Sequence, residues 1–274
     1  MENTLTIRKE ARKLLFKLGC TGALNAVVNQ HLGRRDVEVE KASGPLCGGI
    51  MQEGHQCGML WGAAMAAGSV AWRRTENTNR ATVLAIKSSS ELIKSFEQRS
   101  VSVDCRVITK CNQTSVWGMV KYFITGKPLG CARLIGKWAP EAVAAAEKGL
   151  VENGTEEGNV VSCASVLAEK MGASKEKAMM LAGFAGGIGL CGNACGALGA
   201  AVYLRSEEWF KKHPNDTTFK IPEGQDVLKR FLQETDGKVK CSELCGRKFS
   251  TVEEHSEYIQ NGGCKHLIDV LASV

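Results

Sequence analysis

The chain has 274 residues, 12 of them cysteine, with 35 basic against 29 acidic side chains and a formal charge of +6. That length suits one large domain or two ordinary ones and buries a core without cross-links. The mild basic excess gathers only at Arg73 and Arg74 beside an aromatic and gives no nucleic-acid footprint, so no nucleic-acid partner is expected.

Met1 to Gln30 is charged and then amphipathic, without the apolar h-region and cleavage site of a signal peptide. A cytoplasmic chain with reduced thiols is therefore expected. So many reduced cysteines point to metal ligands or thiol chemistry rather than disulfide staples.

The spacing of Ala11, Leu14, Leu15 and Leu18, continued by Ala23, Val27 and Val28, predicts a helix over 6–32. Gly19 and Gly22 bracket Cys20 and mark a place where it restarts. A polar link with a turn at Gly44-Pro45 follows. Small residues from His55 to Trp72 predict a helix that lets another pack close, and a third helix is expected over 82–99. Residues 101–110 alternate enough for a short strand carrying Cys105. Helices over 116–123 and 132–149 come next, with Pro140 expected to open a new turn. The polar segment 151–159 divides the chain into two cysteine-rich helical repeats, 1–150 and 151–274. The second holds helical stretches at 163–171, 175–181, 226–234 and 251–259, a loop over 209–224, and a short C-terminal helix capped at Gly262-Gly263-Cys264.

The stretch GFAGGIGLCGNACGALGAAVYL, residues 183–204, organises the second half. Glycine costs a helix about 1 kcal/mol relative to alanine, so this density implies a sharp turn or a close approach of backbone to something else. Gly187, Gly189, Gly192 and Gly196 are the candidates for lying against a bound group. Cys191 and Cys195, four apart, would share one face of a helix. No charge falls between Lys177 and Arg205. That is long enough to span a bilayer, but the glycines, Asn193 and a mean hydropathy of -0.12 favour a buried central helix, so no stable membrane span is expected.

An echo lies upstream. Setting Gly48 on Gly186 also sets Gly49 on Gly187, Ile50 on Ile188, Gly54 on Gly192, Cys57 on Cys195 and Gly58 on Gly196. Cysteine order is kept throughout: Cys20, Cys57, Cys105 and Cys131 correspond to Cys163, Cys195, Cys241 and Cys264. An internal duplication with pseudo-twofold, mostly helical (all-α) lobes follows, each lobe carrying four matched cysteines. Four thiolates are what a tetrahedral zinc or an iron–sulfur cluster requires. Cys47, Cys111, Cys191 and Cys245 lie outside this set, as substitute ligands, extensions of a cluster or buried spectators. His55 and His213 are candidate nitrogen ligands or proton carriers, or else packed and surface side chains.

With these residues the chain resembles the family of redox-active proteins named for the pattern C_GCAxxG_C_C, as two tandem copies. The second half carries it through Cys163 in VVSCASVLAEKMG, Cys195 in GLCGNACGALGAA, Cys241 and Cys264. The first half carries it more loosely, with Met59 after Cys57-Gly58 and Trp61 opposite Gly199. The resemblance implies a redox role, and a related domain in split-Soret cytochromes implies an iron–sulfur centre. No CxxCH haem-attachment motif is present.

Three functions remain open from the residues: an iron–sulfur redox or electron-transfer protein, a thiol–disulfide or persulfide-handling enzyme built on Cys191/Cys195 and Cys241/Cys245, and a structural zinc protein. A redox partner protein and self-association are the expected partners. No P-loop, dinucleotide fingerprint, HExxH or nucleophile elbow is present.

Overall fold

The computed structural model describes residues 2–151 and 159–274. Residues 152–158, most of the segment expected to divide the halves, lie outside the described residues. The first half holds α1 (Glu2–Leu32), α2 (Val37–Ala42), α3 (Gly58–Thr75), α4 (Thr78–Arg99), α5 (Cys105–Thr109), α6 (Val116–Ile124) and α7 (Lys127–Gly149). The second holds α8 (Cys163–Lys170), α9 (Lys175–Ala182), α10 (Gly196–Lys212), α11 (Pro222–Glu234), α12 (Cys241–Leu244), α13 (Val252–Gln260) and α14 (Lys265–Ser273). The fold is all-helical and internally duplicated.

Local chemistry sets these boundaries. Gly19, at φ 72 and ψ 177, breaks α1 so that Cys20 opens its second segment. The Asp36 carboxylate accepts from the amides of Glu38 and Val39 to start α2, and Asn77 accepts from Arg80 to start α4. Helix α3 is buried from Gly58 to Ala71, which its run of small residues permits. Two expectations are corrected. Pro140 lies inside α7, which continues through it. The strand expected over 101–110 is a single bridge, Gln56 to Asp104, after which Asp104 becomes the N-cap residue of α5.

The duplication is visible in the backbone. Gly48 to Gln52 and Gly186 to Leu190 are five consecutive residues of positive φ in each half. Most of their hydrogen bonds repeat: Ile50 to Leu46 and Ile188 to Phe184, Gly54 to Gly48 and Gly192 to Gly186, Cys57 to Val103 and Cys195 to Val239. Such a left-handed turn costs about 1–2 kcal/mol for each residue that is not glycine, and Ile50, Met51, Gln52, Ile188 and Leu190 all bear it. At Gly49 a side chain would also strike the backbone of His55, and at Gly187 that of Ala194.

The halves exchange packing partners. Helix α3 packs on α9, and α10 on α2, so that apolar side chains of both halves form one core. Equivalent positions meet where the halves cross, as they must at a twofold axis: Gly199 faces the Trp61 ring, and Lys240 attracts Asp104.

Within α2 Glu40 is fully buried and takes a two-bond fork from Arg35, at 2.8 and 2.7 Å. Arg35→Ala would leave that carboxylate buried without its cation. It is expected to lower stability by about 2 kcal/mol, read as a lower urea midpoint at unchanged slope. A shift under about 0.5 kcal/mol would show that this ion pair does not hold the segment before Cys47.

Candidate cysteine centres

Each half gathers its thiols from four separate elements. In the second half Cys163 is the first residue of α8, Cys195 is the N-cap of α10, Cys241 opens α12 and Cys264 is the N-cap of α14. These four line one small cavity of about 10 Å3, together with Cys245, which leaves room for about one water. Cys245 Sγ lies 3.9 Å from Cys241 Sγ and 3.7 Å from Cys264 Sγ. In the first half Cys20, Cys57, Cys105 and Cys131 line a wider cavity of about 590 Å3, together with Cys47. Cys47 Sγ lies 3.4 and 3.5 Å from the hydroxyl and amide of Thr21.

The electrostatics repeat as well. Burial pushes the Cys163 thiol up to about 12, against the pull of the Gly186 amide. It pushes Cys195 up to about 11, against the Leu198 and Ala197 amides at the start of α10. Cys57 and Cys105 are raised by burial too. One thiol in each half goes the other way. The thiols of Cys241 and Cys264 donate to Cys245 and hold it well below the usual range, while Cys241 and Cys264 are raised. Cys20 donates to Cys47, which is lowered, while Cys20 is raised. The low thiol is in both cases a cysteine outside the repeated set of four.

Two tyrosines belong to the same arrangement. The Tyr122 hydroxyl faces Cys131 Sγ at 3.6 Å, and Tyr258 lines the second cavity beside Cys245 and Cys264. Each lies seven residues after the side-chain N-cap of its helix, Ser115 or Thr251, a register shared by the two repeats that would have marked them in the sequence.

The other candidates lie elsewhere. Cys191 directly follows the left-handed turn and is not on a helix with Cys195, which caps α10. Its Sγ donates to the Gly187 carbonyl at 2.6 Å and accepts from Gln56 Nε2 at 3.2 Å, and it does not line the second cavity. Cys111 is buried and lines neither cavity. Of the four candidate glycines only Gly196 lines the second cavity. A Cβ there would run into the Phe184 carbonyl, one at Gly189 into the backbone of Ser89 and Ser90, and one at Gly192 would press on Ser242. These glycines let backbone pass close to its neighbours. His55 is half-buried away from both cavities, and His213 stacks on Trp209 at 3.8 Å.

His255, not singled out in the sequence, lines the second cavity and is 1% exposed. Burial holds its imidazole down to about 4, against the pull of the Cys245 thiolate and the Val161 carbonyl. The folded state thus keeps the ring neutral. Its contribution is full above the ordinary histidine value of about 6.5 and is lost as pH falls from there towards 4. A loss of about 3 kcal/mol across that window is expected in urea titrations, with His55, also lowered by burial, adding to it. His255→Phe should flatten most of the slope, and an unchanged slope would remove this assignment.

Five thiols apiece make both donor sets fit a thiolate-ligated group by chemistry. Among the described residues no three cysteine, histidine or carboxylate side chains are arranged to hold a metal ion. The two short separations at Cys245, 3.9 and 3.7 Å, match the edge of a tetrahedron of sulfurs, about 3.8 Å for bonds of about 2.3 Å. No described helix is long and apolar enough to cross a membrane.

A family model described as "Putative redox-active protein (C_GCAxxG_C_C)" matches the chain twice, over residues 18–144 and 161–274. No curated protein and no solved structure matches it significantly.

Proposed function

The chain belongs to the C_GCAxxG_C_C family of redox-active proteins, and from that premise we propose that it is an iron–sulfur redox or electron-transfer protein with one cysteine-ligated centre in each half. The observation that carries this reading is the convergence, twice over, of five thiols from at least four separate elements on one cavity. In the first half Cys20, Cys57, Cys105 and Cys131 would hold the group, with Cys47 beside them. In the second Cys163, Cys195, Cys241 and Cys264 would, with Cys245 beside them. When bound, such a group supplies reversible one-electron chemistry.

The chain's own residues do the rest. They leave little room for water at the second set, whose cavity is about 10 Å3. They offer amide N–H groups, from Gly48 to Cys20 and from Gly186 to Cys163, and donors to ligand sulfurs tune a centre's potential. The low thiols Cys47 and Cys245, beside the four ligands, are the ones their neighbours favour as thiolates. The implied partner is a protein that delivers or removes electrons.

Anaerobic purification is expected to give a brown protein containing iron and acid-labile sulfide. A colourless protein lacking both, after anaerobic reconstitution, would sink the reading.

The group of three thiols around Cys245 favours a second reading, thiol–disulfide or persulfide handling with Cys245 as the attacking thiolate. Intact mass before and after reductant tests it: a reversible loss of two hydrogens or gain of one sulfur supports it, and an unchanged mass under every oxidant removes it.

A further inference from the structure

The two cysteine sites differ in one respect that the repeat does not explain. The second is nearly filled, with about 10 Å3 left, while the first opens into a cavity of about 590 Å3. Part of its wall comes from the other half. The connection between α10 and α11 runs from 213 to 221, whereas its counterpart between α3 and α4 is only 76–77. Thr217, Thr218 and Phe219 of the longer connection, with Phe210 of α10, line the first site's cavity. On the opposite wall α6 has no buried residue, while its counterpart α13 buries Val252, His255, Ser256 and Ile259. The second half thus carries nine residues where the first carries two, and they wall a pocket over the first thiols.

The chemistry of that pocket is selective. Four aromatic rings line it besides Tyr122: Phe16, Phe123, Phe210 and Phe219. Phe16, Lys17 and Phe123 are exposed, while Cys47, Cys57 and Cys105 are buried, so the mouth lies at the first group and the thiols at the inner end. Among the described residues that line it, the charged ones are Lys17 and Lys41, and none is acidic. Lys127 adds positive potential at Cys131. A volume of several hundred Å3, apolar walls and a few placed polar groups are the marks of a small-molecule site, commonly found between domains. Flat rings pack on the aromatic walls, and the lysines favour an anion: Lys41 is held in the wall, its ammonium 4.9 Å from the Phe210 ring centroid and donating to the Pro214 carbonyl, while Lys17 is exposed at the mouth.

We propose that this pocket binds a flat aromatic anion, one molecule per chain, with its rings among Phe16, Phe123, Phe210 and Phe219 and its charge towards Lys17 and Lys41. That such a molecule is the substrate of the first cysteine centre rests on the redox reading above, whereas its binding does not.

The test is calorimetric titration of the full chain, prepared without oxygen, with anthraquinone-2-sulfonate. Saturable binding of one molecule per chain is expected, weakening as salt rises from about 0.05 to 0.5 M. The double variant Lys17→Glu, Lys41→Glu should bind at least about tenfold more weakly, and Phe219→Ala should weaken binding as well. Methanesulfonate, which has the charge without the rings, should not compete. Absence of saturable binding, two molecules per chain, or affinity indifferent to both salt and the lysine changes would overturn the proposal. Iron and sulfide measured on the same sample keep the two readings apart. Probe binding without iron upholds the pocket and removes the centre, and iron without probe binding does the reverse.

Discussion

Cys195→Ala, prepared without oxygen, is expected to lose the iron and sulfide of the second site and keep those of the first, and Cys57→Ala to do the converse. The two residues are equivalent N-caps, of α10 and α3, and each lines one cavity only. No cysteine lines both cavities. Removing one ligand from a thiolate set commonly costs the centre, because ligation and local folding are coupled. The double variant should be empty. Cys191→Ala is the control: its thiol is committed to the Gly187 carbonyl outside the second cavity, so full metal content is expected. If either single variant emptied the protein, the halves would share one centre. If Cys195→Ala kept its full content, the central assignment would be lost.

How much of this was legible in the sequence depends on which residues carry it. The register that sets Gly48 on Gly186 and Cys57 on Cys195 is the register in which most hydrogen bonds of the folded turns repeat. It is legible because a left-handed turn of five residues demands glycines at fixed places. The helical reading of Cys191 and Cys195 fails just after that turn: Gly192 between them has positive φ and α10 begins only at Gly196, so the two thiols do not share a helix face. Cys245, the fifth thiol of the second site, was a candidate ligand together with Cys191, whereas Cys47, the fifth of the first site, was not distinguishable from Cys111. Cys47 and Cys245 occupy different places in the repeat, and only tertiary packing brings one to Cys20 and the other between Cys241 and Cys264. The wall that the 213–221 connection builds over the first site joins residues far apart in the chain, and no local pattern announces it.

The contact between Trp61 and Gly199 supports the largest effect expected on stability. Aligned by the repeat, these residues occupy the same position in α3 and α10, and in the folded chain they touch. A large ring and an absent side chain fill the same space from the two sides of the pseudo-twofold axis. Trp61 is fully buried, its ring stands edge-on to Phe184 with centroids 4.6 Å apart, and its indole N–H donates to the Gln56 carbonyl at 3.0 Å. Gln56 is the bridge partner of Asp104, directly before Cys57. Trp61→Ala would open a cavity where the halves meet and leave that carbonyl without its donor. The expected loss is about 3–5 kcal/mol, a third or more of the stability of an ordinary domain. Urea unfolding of the protein with and without bound metal should show it in both forms. Trp117→Ala, at an exposed ring on α6, should stay within about 0.5 kcal/mol of the parent. Adding Gly199→Leu to Trp61→Ala refills the space from the other helix and should recover part of the loss, whereas Gly199→Leu alone should destabilise by overpacking against the indole. A loss below about 1 kcal/mol in Trp61→Ala, or full additivity of the two changes, would show that the halves are not joined through this pair.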